Sequence, residues 1–346
     1  MEVKLHAART LVGRLRGAAA VRDAGATAAA VAELRRASKD DPDVRAPLAD
    51  AGAVPFLASQ LTAPSTSAAA EDAAAALLNI SLSGREQLMS SPGILDALAR
   101  AIRAEDYEAA HHAAAVVASL LCVDAYRPIV GAKRALLSAL VSLLLPSNAR
   151  GTRATKDALK ALFGVALYPL NRATLVELGV VRALFGLVMT DGRTGIVEDA
   201  TAVVAQVAGC AESLDAFAAV SGVRILADLV EPGGAATGRA RENAAAALLN
   251  LVMAGGERAV AEVLDVGGAE EAVRELAEDG EASPRGKAKA EALLRALEEG
   301  AAGARRRHEH RFADFLNGLV VSDPYFSSPS PASASTHDDA SRVTLG

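Results

Sequence analysis

Nine residues occur almost twice in this chain, as DAAAALLNI at 72–80 and as NAAAALLNL at 243–251, 171 positions apart. A duplicated catalytic motif would carry reactive groups, whereas this one is built of alanines and leucines ahead of one asparagine. Its recurrence is therefore a matter of packing first. Counted from EDAAAALLNI (71–80), weaker copies fill the interval: HHAAAVVASL (111–120), KDALKALFGV (156–165), EDATAVVAQV (198–207) and ENAAAALLNL (242–251), at steps of about 40, 45, 42 and 44 residues. A diverged copy precedes them at AAAVAELRRA (28–37), and another follows at KAKAEALLRAL (287–297).

Between copies stands a second landmark, a glycine-bearing corner followed by an apolar helix: AGAVPFLASQL (51–61), SPGILDALARAI (91–102), VGAKRALLSAL (130–140), LGVVRALFGLV (178–188), SGVRILADLV (221–230) and GGAEEAVREL (267–276). Glycine suits such corners because it enters the positive-φ region at little cost. Each unit is expected to hold a short helix, the corner, a longer helix, a loop and the alanine-rich helix. Composition points the same way. Hydrophobic residues make up 51% of the chain, aromatics only 3%, and Trp is absent. The core is thus left to Ala, Leu and Val, of which Ala and Leu are the strongest helix formers. No segment alternates at period two, so no strand competes. One such unit cannot bury its own apolar face, and stacked units share a continuous core. The fold class expected is all-α, an α-α superhelix of about six to seven repeats, in which runs of alanine let neighbouring helices approach closely.

A repeat of this length with two or three helices fits armadillo and HEAT arrays. The unit VRAPLADAGAVPFLASQL…EDAAAALLNIS resembles an armadillo repeat, specifically those of the plant U-box armadillo proteins. SPRGKAKAEALLRAL (283–297) resembles that group's terminal repeat, where a Pro-Arg-Gly-Lys stretch opens the last helix. The resemblance covers about residues 28–300, leaving an N-terminal capping helix (1–27) and a tail (301–346). It implies a non-catalytic interaction scaffold, binding a partner's peptide or helix along a concave groove, with a place in ubiquitin-linked signalling. The alternative is an E3 ubiquitin-protein ligase of the U-box type, with the U-box missing here or in a longer isoform. The 27 residues ahead of the array are too few for a U-box.

By the same resemblance, the third helix of each unit lines the groove. Position 79 and its equivalents are Asn79, Ser119, Gly164, Gln206 and Asn250, with Arg35 aligned less closely. One turn earlier, on the same face, lie Ala75, Ala115, Lys160, Ala202 and Ala246. The groove candidates are therefore Arg35, Asn79, Ser119, Lys160, Gln206 and Asn250. In the importin branch of the family, Trp stands four residues before Asn and cradles basic side chains. Here that place is Ala or Lys, cation–π contacts are lost, and basic cargo is not expected. Two readings of Asn79 and Asn250 stand side by side: they bond an extended peptide's backbone, or they bond backbone within their own array.

The net charge of −6 argues against a general nucleic-acid binder. No apolar run reaches membrane-spanning length. Nothing in the sequence sets an oligomeric state. Two cysteines, Cys122 and Cys210, sit in apolar helical patterns and read as packing residues of a protein in a reducing compartment, cytoplasmic or nuclear. After residue 300, the basic cluster ARRRHEHR (304–311) leads into FADFLNGLVV (312–321), where Phe312, Phe315, Leu316 and Leu319 follow a helical stripe. Those four either close the end of the array or dock into a partner. The remaining Ser/Pro-rich end is expected to be disordered.

Catalytic patterns are lacking: there is no phosphate loop, no nucleophile elbow and no cofactor motif. His111 and His112 are adjacent, which on a helix aims them in different directions and makes a poor metal pair, so both read as solvated surface residues.

Overall fold

A computed structural model describes residues 2–62, 67–104, 107–145 and 151–321, with the main chain alone at residues 107, 304 and 308–321. Every regular element among these residues is an α- or 3-10 helix, and the protein is an all-α solenoid.

Six inner helices follow the repeated sequence: Ala24–Asp40, Ser67–Ser81, Tyr107–Leu120, Gly151–Ala166, Thr194–Val207 and Gly238–Leu264. Each packs against the next. Small side chains make this possible: Ala73, Ala74 and Ala76 are fully buried, as are Ala244, Ala245 and Ala247 of the sixth inner helix. Leu77 and Leu248, one position later in each copy, are also fully enclosed. Truncating either would cost about 2–5 kcal/mol. The inner helices begin where the sequence supplies a cap. Asp23 accepts from the amide of Ala26 at 2.9 Å ahead of the first, and Thr237 accepts from Ala240 at 3.2 Å ahead of the sixth.

Before each inner helix runs an outer one, such as Ala53–Gln60, Ile94–Arg103 and Val180–Thr190. The expected glycine corners turn at Gly52, Gly93, Gly179 and Gly268, with φ between 76° and 85°. The third and fifth corners differ from expectation: Gly131 stays within the helix Arg127–Gly131 and the chain turns at Lys133 (φ −88°, ψ 72°), while at the fifth Ser221 takes the left-handed conformation (φ 53°). Gly222 has another role there: a Cβ on it would lie 2.9 Å from the Phe185 ring, which meets Phe217 edge to face.

The sixth inner helix is 27 residues long and, by length and composition, apolar enough to cross a membrane, contrary to the sequence expectation. The apolar stretch extends because a second helical piece continues past Gly256, whose φ of 57° and ψ of −140° break the helix. Its apolar side packs into the core through Ala244, Leu248, Leu251 and Val260.

The last helix runs Pro284–Val321, so 312–321 continues it rather than forming a separate short helix. Ala290, Leu293 and Leu297 of this helix are buried. The chain divides into two compact units between Ala301 and Ala302. The Ser/Pro-rich end lies outside the described residues.

Candidate functional site

The predicted groove row is assembled by equivalent positions on successive inner helices, and most of its polar groups hold the array together. The Asn79 side-chain amide donates to Ser38 Oγ at 3.1 Å and to the Arg35 carbonyl at 3.5 Å, both on the preceding inner helix. Asn250 donates to the Ala205 carbonyl at 2.7 Å, again one repeat back. Ser119 Oγ donates to the Ser81 carbonyl at 3.3 Å. Both asparagines are half-buried, and their Oδ1 atoms have no intramolecular donor among the described residues. Arg35 is held by Glu71 at 2.9 Å and by Asp72 of the next inner helix. Gln206 accepts from Arg172 at 3.3 Å. Lys160 is exposed and reaches Asp157 at 3.2 Å. The internal bonding that the sequence offered as one reading of Asn79 and Asn250 is therefore formed. A partner would be left their carbonyl oxygens, Lys160 and Gln206.

A second recurrence escaped the sequence reading. Arg45, Arg85, Arg127 and Arg172 each open the short helix that follows an inner helix. Arg45 Nε donates to the Ser38 carbonyl at 2.8 Å. Arg85 Nε donates to the Ser119 carbonyl, one repeat on, at 2.9 Å. Arg172 does both, binding Ala166 at 2.9 Å and Gly209 of the next repeat at 3.2 Å. These carbonyls stand at the C-terminal ends of inner helices, where main-chain acceptors lack partners and the helix dipole favours a cation. Arg127 instead pairs with Asp124 at 2.8 Å, while its own carbonyl receives the side chain of the buried Asn171 at 3.0 Å. The signal in the sequence was spacing, since the steps of 40, 42 and 45 residues match the alanine-rich repeat.

Three depressions adjoin along the inner helices and share one side chain, Phe163. The first, about 460 Å³, lies between Arg85, Ser119, Cys122, Lys160 and Leu167. The second, about 180 Å³, is bounded by Lys160, Asp199 and Arg239. The third, about 610 Å³, is lined by Gln206, Asn243, Asn250, Arg285 and Lys289 over a floor that includes Ala202 and Ala246. Phe163 is half-buried in a chain with few aromatics, one residue before the groove-row Gly164. Cys122 is exposed here rather than packed, because it lies two residues beyond the end of the third inner helix. Cys210 is half-buried, and burial raises its thiol pKa.

His111 and His112 also depart from expectation. Their ring centroids are only 4.6 Å apart, tilted by 34°, and both residues are half-buried. Successive side chains on a helix diverge at Cβ, but both imidazoles fold back toward the preceding turn, the direction in which helical side chains lean. Glu108 lies on that turn, close to both. His111 Nδ1 lies 2.7 Å from Asp157 Oδ2 of the next inner helix. Burial, then the neighbouring His111 and Arg35, lowers the His112 pKa to about 4. The side chains of Phe312, Phe315, Leu316 and Leu319 lie outside the described residues.

A family profile described as the plant U-box protein ARM repeat region matches residues 11–301. U-box domain-containing protein 16 of Arabidopsis thaliana is 33% identical over 297 residues, which are 85% of this chain and 41% of that protein. U-box domain-containing protein 1 of Medicago truncatula is 35% identical over 128 residues, 37% of this chain and 18% of that protein. The chain thus spans about two fifths, or less, of the length of these relatives. Among solved structures, an engineered protein superposes with a TM-score of 0.72 at 23% identity, over 85% of this chain and 68% of its own. A computationally designed armadillo repeat protein for modular peptide recognition superposes with a TM-score of 0.60 at 22% identity, over 70% of this chain and 99% of its own. These two likenesses concern the fold.

Proposed function

The chain belongs to the plant U-box armadillo-repeat family, and from that premise we propose that it binds an extended segment of a protein partner along its inner helices. The armadillo array is a scaffold fold rather than a catalytic one. The observation that carries the proposal is the run of three adjoining depressions joined by Phe163. Its floor of small residues gives a backbone room to approach. Its walls offer a mixture of cations, carboxylates and amide oxygens, and Phe163 offers an apolar anchor of the kind that dominates binding energy at interfaces. A designed armadillo protein made for modular peptide recognition shares the fold, which favours the same mode.

A second reading places the array in ubiquitin-linked signalling, as a substrate-binding adaptor or as the binding part of a U-box ligase. The names of the relatives favour it.

One experiment addresses the groove. Partners captured by the full chain from plant extract and identified by mass spectrometry are compared with those captured by Phe163→Ala/Lys160→Glu, with helicity followed by circular dichroism. Specific partners should be lost at unchanged helicity. Undiminished capture would move the site off this face. Ubiquitin discharge, measured on the same material, separates adaptor from ligase.

A further inference from the structure

We propose that Glu108, His111 and His112 form a binding site for a divalent transition metal of the zinc type, with Asp157 of the next repeat orienting one of the ligands. Glu108 lies three residues before His111 and four before His112, so all three start from one turn and the next of the third inner helix. One donor atom from each lies within 4.8 Å of the other two. Two imidazoles and one carboxylate are a donor set that zinc takes readily, leaving a fourth position for water or a partner's side chain.

Two further observations bear on it. The Nδ1 atom of His112 is buried and has no hydrogen-bond partner, a state that costs free energy unless something else occupies the nitrogen. The His111 ring stands against a carboxylate, Asp157 Oδ2, at 2.7 Å. Such carboxylate–imidazole contacts fix the orientation of metal-bound histidines and raise their basicity. Asp157 belongs to the fourth inner helix. A metal on His111 would thereby join the third and fourth inner helices, in the middle of the array.

The test uses the full chain, stripped with a chelator and dialysed against cobalt(II), whose visible absorption reports coordination. One cobalt per chain is expected, with absorption bands of a four-coordinate ion that zinc(II) bleaches. Glu108→Gln and His112→Gln should each weaken zinc affinity at least 10-fold, and Asp157→Asn about 10-fold. A Cys122→Ser/Cys210→Ser variant should bind as the parent does, which sets thiol sites aside. Circular dichroism on each variant confirms the fold, and zinc should raise the melting temperature of the parent more than that of His112→Gln. Absence of stoichiometric binding at micromolar metal would overturn the proposal, as would unchanged affinity in folded His112→Gln.

Discussion

The side-chain amide of Asn250 donates to the main-chain carbonyl of Ala205 at 2.7 Å, across the boundary between one repeat and the next. The acceptor sits inside the array, where a lost donor is replaced poorly by water. Asn250→Ala is expected to destabilise the protein by about 1–2 kcal/mol, measured as a lower urea midpoint. Asn79→Ala, whose parent bonds are longer at 3.1 and 3.5 Å, should cost less.

Arg172 makes three contacts from one guanidinium, to the carbonyls of Ala166 and Gly209 and to Gln206 Oε1. A lysine carries the charge but lacks the planar fork that serves several acceptors at once. Arg172→Lys and Arg172→Ala should therefore both destabilise, by about 1.5–3 kcal/mol for the alanine variant. Hydrogen exchange should quicken most around residues 206–214. Full rescue by lysine would mean that charge alone matters here.

Two glycines make opposite predictions. A Cβ on Gly164 would come within 2.8 Å of Leu121 Cβ, a side chain that is itself buried, so Gly164→Ala should cost about 1–3 kcal/mol. Gly186 lies within the helix Val180–Thr190 and meets nothing within 4 Å of the added carbon. Gly186→Ala should stabilise by about 0.5–1 kcal/mol through helix propensity. Thermal melts of the two variants should move in opposite directions.

Two carboxylates set an acid limit. The Arg241 guanidinium, 2.8 Å away, holds the Asp279 pKa below its ordinary value, and Lys4 does the same for Asp41. Both are depressed relative to the unfolded chain, where an aspartate titrates near about 3.9. Between the folded and unfolded values the unfolded chain binds more protons. The stability these pairs add is thus present above pH ~4 and is lost as pH falls through the folded values. Urea midpoints taken between pH 5 and pH 2 should fall less steeply in Asp279→Asn than in the parent.

The period of the alanine-rich motif made the solenoid legible, because burial of Ala73, Ala74, Ala76 and Leu77 and of Ala244, Ala245, Ala247 and Leu248 repeats in the sequence as it does in space. The positions of Asn79, Asn250 and Lys160 on inner helices were legible for the same reason. What their side chains bond was not, since an amide at a helix end serves backbone or ligand equally well. The arginines at 45, 85, 127 and 172 had no part in the sequence reading, because a single sequence does not reveal that a helix end waits beside Arg45, Arg85 and Arg172. His111 and His112 were misread by treating Cβ directions as ring positions. Phe163 stood out only once neighbouring repeats had placed small residues around it.

The arginine and asparagine contacts share a consequence for how such an array changes length. Asn79, Arg85, Asn171, Arg172 and Asn250 each reach a residue about one repeat away, so the boundaries between the six inner helices are latches whose two halves belong to different repeats. Removing or duplicating one whole period returns each half to an equivalent counterpart, whereas a cut of any other length leaves donors facing the wrong carbonyls. The molecule is thus built to grow or shrink in quanta of some forty-odd residues, each step displacing one end of the partner-binding surface by one inner helix.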